Sequence, residues 1–132
     1  MPIIVNIAIY KVYDKRDPNH WAIHISDGKT AVILQVGDDK GGVGYFVEKP
    51  MYNKEPSRSA RHQESITVGV IPGSSFDAAV SIIQATPVDN VSTTWNCQAW
   101  AVQALDSLGS AGLFQWDAKA QASVLKKRQD WQ

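Results

Sequence analysis

The single cysteine of this 132-residue chain lies in the stretch TTWNCQAWAVQALDSLGSAGLF, residues 93–114. An amphipathic helix is expected to begin there, because Asn96 is a good N-cap and Cys97, Trp100, Ala101, Ala104, Leu105 and Leu108 fall on one apolar stripe. A thiol in the first turn of a helix meets unsatisfied N–H groups and the positive end of the dipole, which favour the nucleophilic thiolate. The same stripe makes Cys97 readable as a small core residue beside Trp100, since free cysteine is among the most buried residue types. A nucleophile differs from a filler in having a base within hydrogen-bond reach and a third group that orients the base.

The segment NHWAIHISDGKTAVILQVGD, residues 19–38, can supply both. A two-residue turn centred on Asp27-Gly28 would set Ser26 opposite Lys29, His24 opposite Ala31, Ala22 opposite Ile33 and His20 opposite Gln35. Directly opposed side chains lie close enough for the Gln35 amide to hold the His20 imidazole. Ala22 and Ala31 on that face are small, so the helix presenting Cys97 is expected to dock there. Trp21, Ile23, Ile25, Val32 and Leu34 would point the other way, into the core. The candidate catalytic set is therefore Cys97, His20 and Gln35. The Cys97 backbone N–H is the natural oxyanion donor, and Tyr10 or Tyr13 is a candidate second donor, although a tyrosine on a first strand is more often a packing residue. Trp95 and Trp100 flank the nucleophile and are candidate walls of an apolar acyl site, although Trp100 also lies on the core stripe.

Metal chemistry is not expected. His20 and His24 stand four residues apart on a strand, ~13 Å at the usual rise, too far to share one ion. The acidic residue of an H-E-x-x-H motif is missing as well. His24 reads as a partly buried structural histidine and His62 as a surface one. No metal and no cofactor is expected.

The elements that must position these groups run strands first and helices later, the order of an α+β domain with an antiparallel sheet and helices packed against it. Segments 2–13, 20–25, 30–36, 43–49 and 65–71 are rich in β-branched and aromatic residues. Turn signals separate the first four at Asp17-Pro18-Asn19, Asp27-Gly28 and 38–42. Residues 50–64, PMYNKEPSRSARHQE, read as a polar loop able to cover a site or simply to connect strands. Ser74 or Ser75 can start a helix that Pro87 ends, and a third helix is expected from Asp117 to Lys127. One domain, 1–132, accounts for the length.

Composition narrows the function classes. Thirteen basic residues balance thirteen acidic ones, so no global field draws nucleic acid, and the Lys126-Lys127-Arg128 cluster reads as a solvated helix end. One cysteine allows no intramolecular disulfide, so a cytoplasmic location is expected. The apolar start lacks the basic flank of a signal peptide, and no run reaches the ~18 apolar residues of a membrane span, so no integral anchor is expected.

Two blocks of the chain resemble a known family. HWAIHISDG, residues 20–28, followed well downstream by NCQAWAVQAL, residues 96–105, is similar to the His-Trp-Ala-Ile and Asn-Cys signatures of the lecithin:retinol acyltransferase-like proteins, including the H-rev107-type phospholipase/acyltransferases. These belong to the circularly permuted branch of the NlpC/P60 papain-like superfamily. The resemblance implies that fold, with Cys97 as nucleophile and His20 as base. The second histidine of the acyltransferases would fall on Val32 and is not present. The wider superfamily accepts His, Asn or Gln as the third group, a role that falls to Gln35. Cys97 is followed by Gln98-Ala99-Trp100 where the acyltransferases have Glu-His-Phe. The chain ends ASVLKKRQDWQ in place of their apolar C-terminal segment, so lipid remodelling at a membrane is not expected.

The activity implied is a cysteine-dependent hydrolase or acyltransferase acting on an amide, ester or thioester through a thioester on Cys97. Its partner would be a small-molecule, peptide or acyl substrate. The competing class is a non-catalytic domain of the same fold that binds a small molecule or a partner protein.

Overall fold

Apolar residues recur at every second position of the first strand, and this period builds one wall of the core. The computed structural model describes residues 2–12, 17–38, 44–92 and 94–129. Strands β1 (Ile3–Tyr10), β2 (His20–Ser26), β3 (Ala31–Leu34), β4 (Val36–Asp38), β5 (Tyr45–Val47), β6 (Met51–Tyr52) and β7 (His62–Ile71) precede helices α1 (Phe76–Gln84), α2 (Cys97–Ser110) and α3 (Ala118–Lys126). The protein is thus α+β. An antiparallel five-stranded sheet runs in the order β6-β3-β2-β1-β7, and β4 and β5 form a separate hairpin. Among the described residues no helix is long and apolar enough to cross a membrane.

The helices cover one face of the sheet. Ile3, Val5, Ile7 and Ile9 of β1 join Trp21, Ile23 and Ile25 of β2 and Val32 and Leu34 of β3, against α1 and the Trp100, Ala101, Ala104, Leu105 and Leu108 stripe of α2. The expected docking of α2 on the Ala22 and Ala31 face is therefore corrected. Burying a large apolar side chain is worth ~1.5–3 kcal/mol, far more than covering an alanine, so the helix goes where the isoleucines and Trp21 are. Trp100 is 0% exposed and its indole N–H donates to the Thr86 carbonyl at 3.0 Å, so in this structure it is packed in the core.

The β2–β3 hairpin departs from the expected register by two residues. His24 pairs with Ile33 and Ser26 with Ala31. The turn centres on Gly28-Lys29, with Gly28 at φ 92°. Asp27 stands at its start, its carboxylate accepting from the N–H groups of Lys29 at 2.8 Å and Thr30 at 2.7 Å. An Asp side chain that folds its own turn in this way moves the glycine to the first central position. A strand has period two, so the shift leaves every side chain on its expected face, with His20 and Gln35 still together. Gln35 sits at the break between β3 and β4, where its carbonyl accepts from Glu48 N–H at 3.0 Å.

The expected loop at 50–64 is partly ordered structure. It contains β6, a 3-10 turn at Pro56–Arg58 and the start of β7. The turn expected at 38–42 lies mostly outside the described residues, as does Tyr13.

Candidate active site

The site forms where the start of α2 meets the start of β2. Asn96 caps the helix from extended backbone, and its side-chain oxygen accepts from the N–H groups of Gln98 at 3.0 Å and Ala99 at 3.1 Å. The cap engages these two amides and leaves that of Cys97 outside it. The Cys97 side chain is 7% exposed, and its thiol points to the Asn19 carbonyl at 3.7 Å. It shares a cavity wall with the next side chain, His20, and the interaction between the two helps set the His20 pKa.

His20 Nε2 and Gln35 Oε1 are 2.5 Å apart. An amide oxygen only accepts, so this contact places the ring proton on Nε2 and leaves Nδ1 for the thiol. Burial drives the His20 pKa down, but the hydrogen bond to Cys97 and its charge, the bond to Gln35 and the nearby Glu48 carboxylate outweigh that effect. The balance raises it above the ordinary 6.5. A ring so placed takes up a thiol proton readily. The structure therefore brings Cys97, His20 and Gln35 together as a contiguous set.

His20 stands in the wall of two cavities. The smaller, about 310 Å³, contains Cys97 and is bounded by Val12, Pro18, Tyr45 and the acidic side chains of Asp17, Asp38 and Glu48. The larger, about 570 Å³, lies on the sheet face away from the helices, over Tyr10, Ile33 and Gln35 and against the 54–61 segment. Neither tryptophan of the candidate acyl site is among the residues that bound the Cys97 cavity. Trp95 is instead buried edge-on against Tyr45, with ring centroids 5.0 Å apart, and its N–H reaches Gln103 at 3.2 Å. Tyr10 tilts against the His20 ring at 5.6 Å and lines the larger cavity, away from the thiol. Burial raises its pKa.

A positioning network behind the thiol escapes sequence reasoning. Gln98 is 0% exposed. Its amide nitrogen donates to the Asn19 carbonyl at 2.9 Å and to Gln129 Oε1 at 3.2 Å, and its oxygen accepts from Gln129 N–H at 2.7 Å. Gln129 Oε1 also accepts from Asn19 N–H at 2.9 Å, and Arg128 reaches the capping oxygen of Asn96 at 3.0 Å. The segment after α3 thus ties together the residue before His20 and the residues on either side of Cys97. Of the basic cluster read as a solvated helix end, Lys126 and Lys127 are exposed, though Lys127 pairs with Glu64 at 2.9 Å, while Arg128 is engaged at the cap. The available signal was the glutamine at a position next to the stripe, where a polar residue has to find partners if the helix is covered.

The other two histidines stand apart from the thiol. His24 is buried, with Nδ1 facing the Asn6 amide at 3.3 Å and Nε2 3.8 Å from Glu55. Burial lowers its pKa, against the opposing pull of Glu55. His62 contacts Ser65 Oγ at 2.8 Å. Among the described residues no three His, Cys, Asp or Glu side chains are grouped to hold a metal.

No curated protein and no solved structure matches the chain. A family model does match, over residues 6–115, a span that holds Cys97, His20 and Gln35 but not α3 or the segment after it. The chain belongs to that family, DUF6540, a family of unknown function.

Proposed function

We propose that this protein is a cysteine-dependent acyl hydrolase or acyltransferase built on a circularly permuted NlpC/P60 papain-like architecture. The observation that carries the reading is the Cys97 thiol beside a His20 ring that the Gln35 amide holds, on the wall of one cavity and with the thiol at the start of a helix. Nucleophile, base and orienting group are the parts a thiol acyl transfer needs.

In the proposed reaction His20 Nδ1 takes the thiol proton. The Cys97 thiolate adds to the carbonyl carbon of an amide, ester or thioester, and the oxygen that becomes negative is met by the Cys97 N–H, which the Asn96 cap leaves unused. Collapse expels the leaving group, which takes its proton from the imidazolium, and leaves an acyl thioester. Water or an acceptor amine or hydroxyl gives a proton to His20 and releases the acyl group, regenerating the thiol. Gln35 fixes the ring without the charge a carboxylate would supply, and Glu48 adds negative charge at longer range.

Alkylation by iodoacetamide between about pH 5 and 9 tests the pair. The native protein is expected to label rapidly on the acid side of this range. His20→Ala should lose about 100-fold of that rate, the low end of what a positioned base contributes, and Gln35→Ala should fall between. A native thiol that labels no faster near pH 6 than the urea-unfolded chain sinks the proposal and favours a binding domain of the same fold. With the pair established, an activated thioester donor should leave its acyl mass on Cys97.

A further inference from the structure

The larger cavity next to His20 is not used by the thiol chemistry, and its lining is chemically divided. Tyr10, Ile33, Met51 and Pro56 give it an apolar floor. Lys11, Lys54, Arg58 and Arg61 surround this floor, against one acid, Glu55. The chain has thirteen cationic and thirteen acidic residues, so four of one and one of the other at a single cavity is a local field that the neutral total conceals. Part of the rim is structurally held: Arg61 donates to the Lys11 carbonyl at 3.4 Å, and Pro56, the first residue of the 3-10 turn that carries Arg58, is buried. Across His20, the described residues that bound the Cys97 cavity include the acidic Asp17, Asp38 and Glu48.

We infer that the larger cavity binds the body of an amphipathic organic anion, with its apolar part on Tyr10, Ile33 and Met51 and its carboxylate, sulfonate or phosphate held by Lys54, Arg58 and their cationic neighbours. Its volume of about 570 Å³ is in the range of small-molecule sites, which combine an apolar lining with a few polar groups that fix orientation. The cationic rim sets the direction in which such a molecule lies, with its anionic end at Lys54 and Arg58 and its apolar part toward Tyr10, Ile33 and His20. That the occupant is the substrate rests on the proposed thiol chemistry; that the cavity binds it does not.

Anilinonaphthalene sulfonate, an apolar body with one anionic group, is the probe, and phenylnaphthylamine is the same body without the charge. Both are titrated by fluorescence into the full chain. The sulfonate is expected to bind saturably at one site, to bind more tightly than the neutral compound, and to weaken as salt is raised. Lys54→Glu/Arg58→Glu should weaken sulfonate binding by about tenfold and leave the neutral compound within about twofold, as expected for two reversed, solvent-exposed charges. Lys54→Gln/Arg58→Gln, with no charge introduced, should lie between and guards against a folding defect in the reversal. Failure of the sulfonate to saturate, equal binding of the two compounds, or full retention of sulfonate affinity in both double variants overturns the inference. Cys97→Ala separates the two proposals: it abolishes any acyl adduct and should bind the sulfonate as the native protein does.

Discussion

Gln98 is the residue on which the geometry of the site should depend most without itself reacting. Its buried carboxamide makes three hydrogen bonds, two donated to Asn19 and Gln129 and one accepted from Gln129. At a net ~0.5–1.5 kcal/mol each, with the cost of stranding a buried partner included, Gln98→Met should lose roughly 2–4 kcal/mol. For a chain of this length that is a fall in Tm of roughly 10 °C. Gln98→Glu has the same shape and should be worse. The atom that donated to the Asn19 carbonyl and to Gln129 Oε1 becomes an oxygen facing two oxygens, and a carboxylate is taken out of water as well. Thermal unfolding followed by circular dichroism gives the ranking, native above Met above Glu. Trypsin should also cleave both variants faster at Lys127 and Arg128, which the network holds in place. Iodoacetamide labelling of Cys97 should slow in step, because Asn19 positions His20. A Glu variant as stable as the Met variant would refute the assignment of donors and acceptors. Two variants within about 2 °C of the native protein would show that the network does not hold the tail at all.

The histidines should act on stability with opposite signs. The pKa of His24 is lowered by burial, so its stabilising effect is present above about pH 6.5 and is lost as pH falls through its folded value. His20 has a raised pKa, so its contribution is full below about pH 6.5 and is lost as pH rises through the folded value. In urea unfolding, His24→Leu should flatten the acid side of the stability profile and His20→Leu the alkaline side; the reverse pattern would contradict both environments. Gly69 lies where the chain leaving α2 crosses β7, and a Cβ there would stand 2.8 Å from the Gln115 carbonyl oxygen and 2.6 Å from the Phe114 ring. Gly69→Ala should therefore cost ~1–3 kcal/mol by chemical denaturation, and a neutral result would mean that the Phe114–Gln115 backbone moves freely.

Much of the architecture was readable before any coordinates, because it rests on local periodicity. The isoleucines of β1, the apolar stripe of α2 and the Asn96 cap each state their element within a few residues. Placing His20 near Gln35 survived a wrong turn because a two-residue slip changes partners without changing faces. The slip itself came from Asp27, whose side chain can close a turn either before or within it, and only the competing strand contacts decide. The face on which α2 docks was missed for a different reason. Small residues make close approach possible, but burial of Trp21 and three isoleucines or valines makes it favourable, and the second effect is larger. The bonds from Gln98 and Arg128 lay beyond reach, because nothing in a local pattern links residue 19 to residue 129.

That last link has a consequence for the order of events during synthesis. Asn19 and Gln129 are 110 residues apart in the chain and bond directly beside the thiol. The sheet can form from β1 to β7 and the helix carrying Cys97 can dock on it, while the brace at the helix start still awaits residues 128 and 129. Closing a loop of that length is entropically costly, and contacts of such separation form late. The geometry around the Cys97 thiol is therefore completed only once residues 128 and 129 have left the ribosome, and a nascent or truncated product lacking Arg128 and Gln129 carries a folded sheet with an unbraced cysteine.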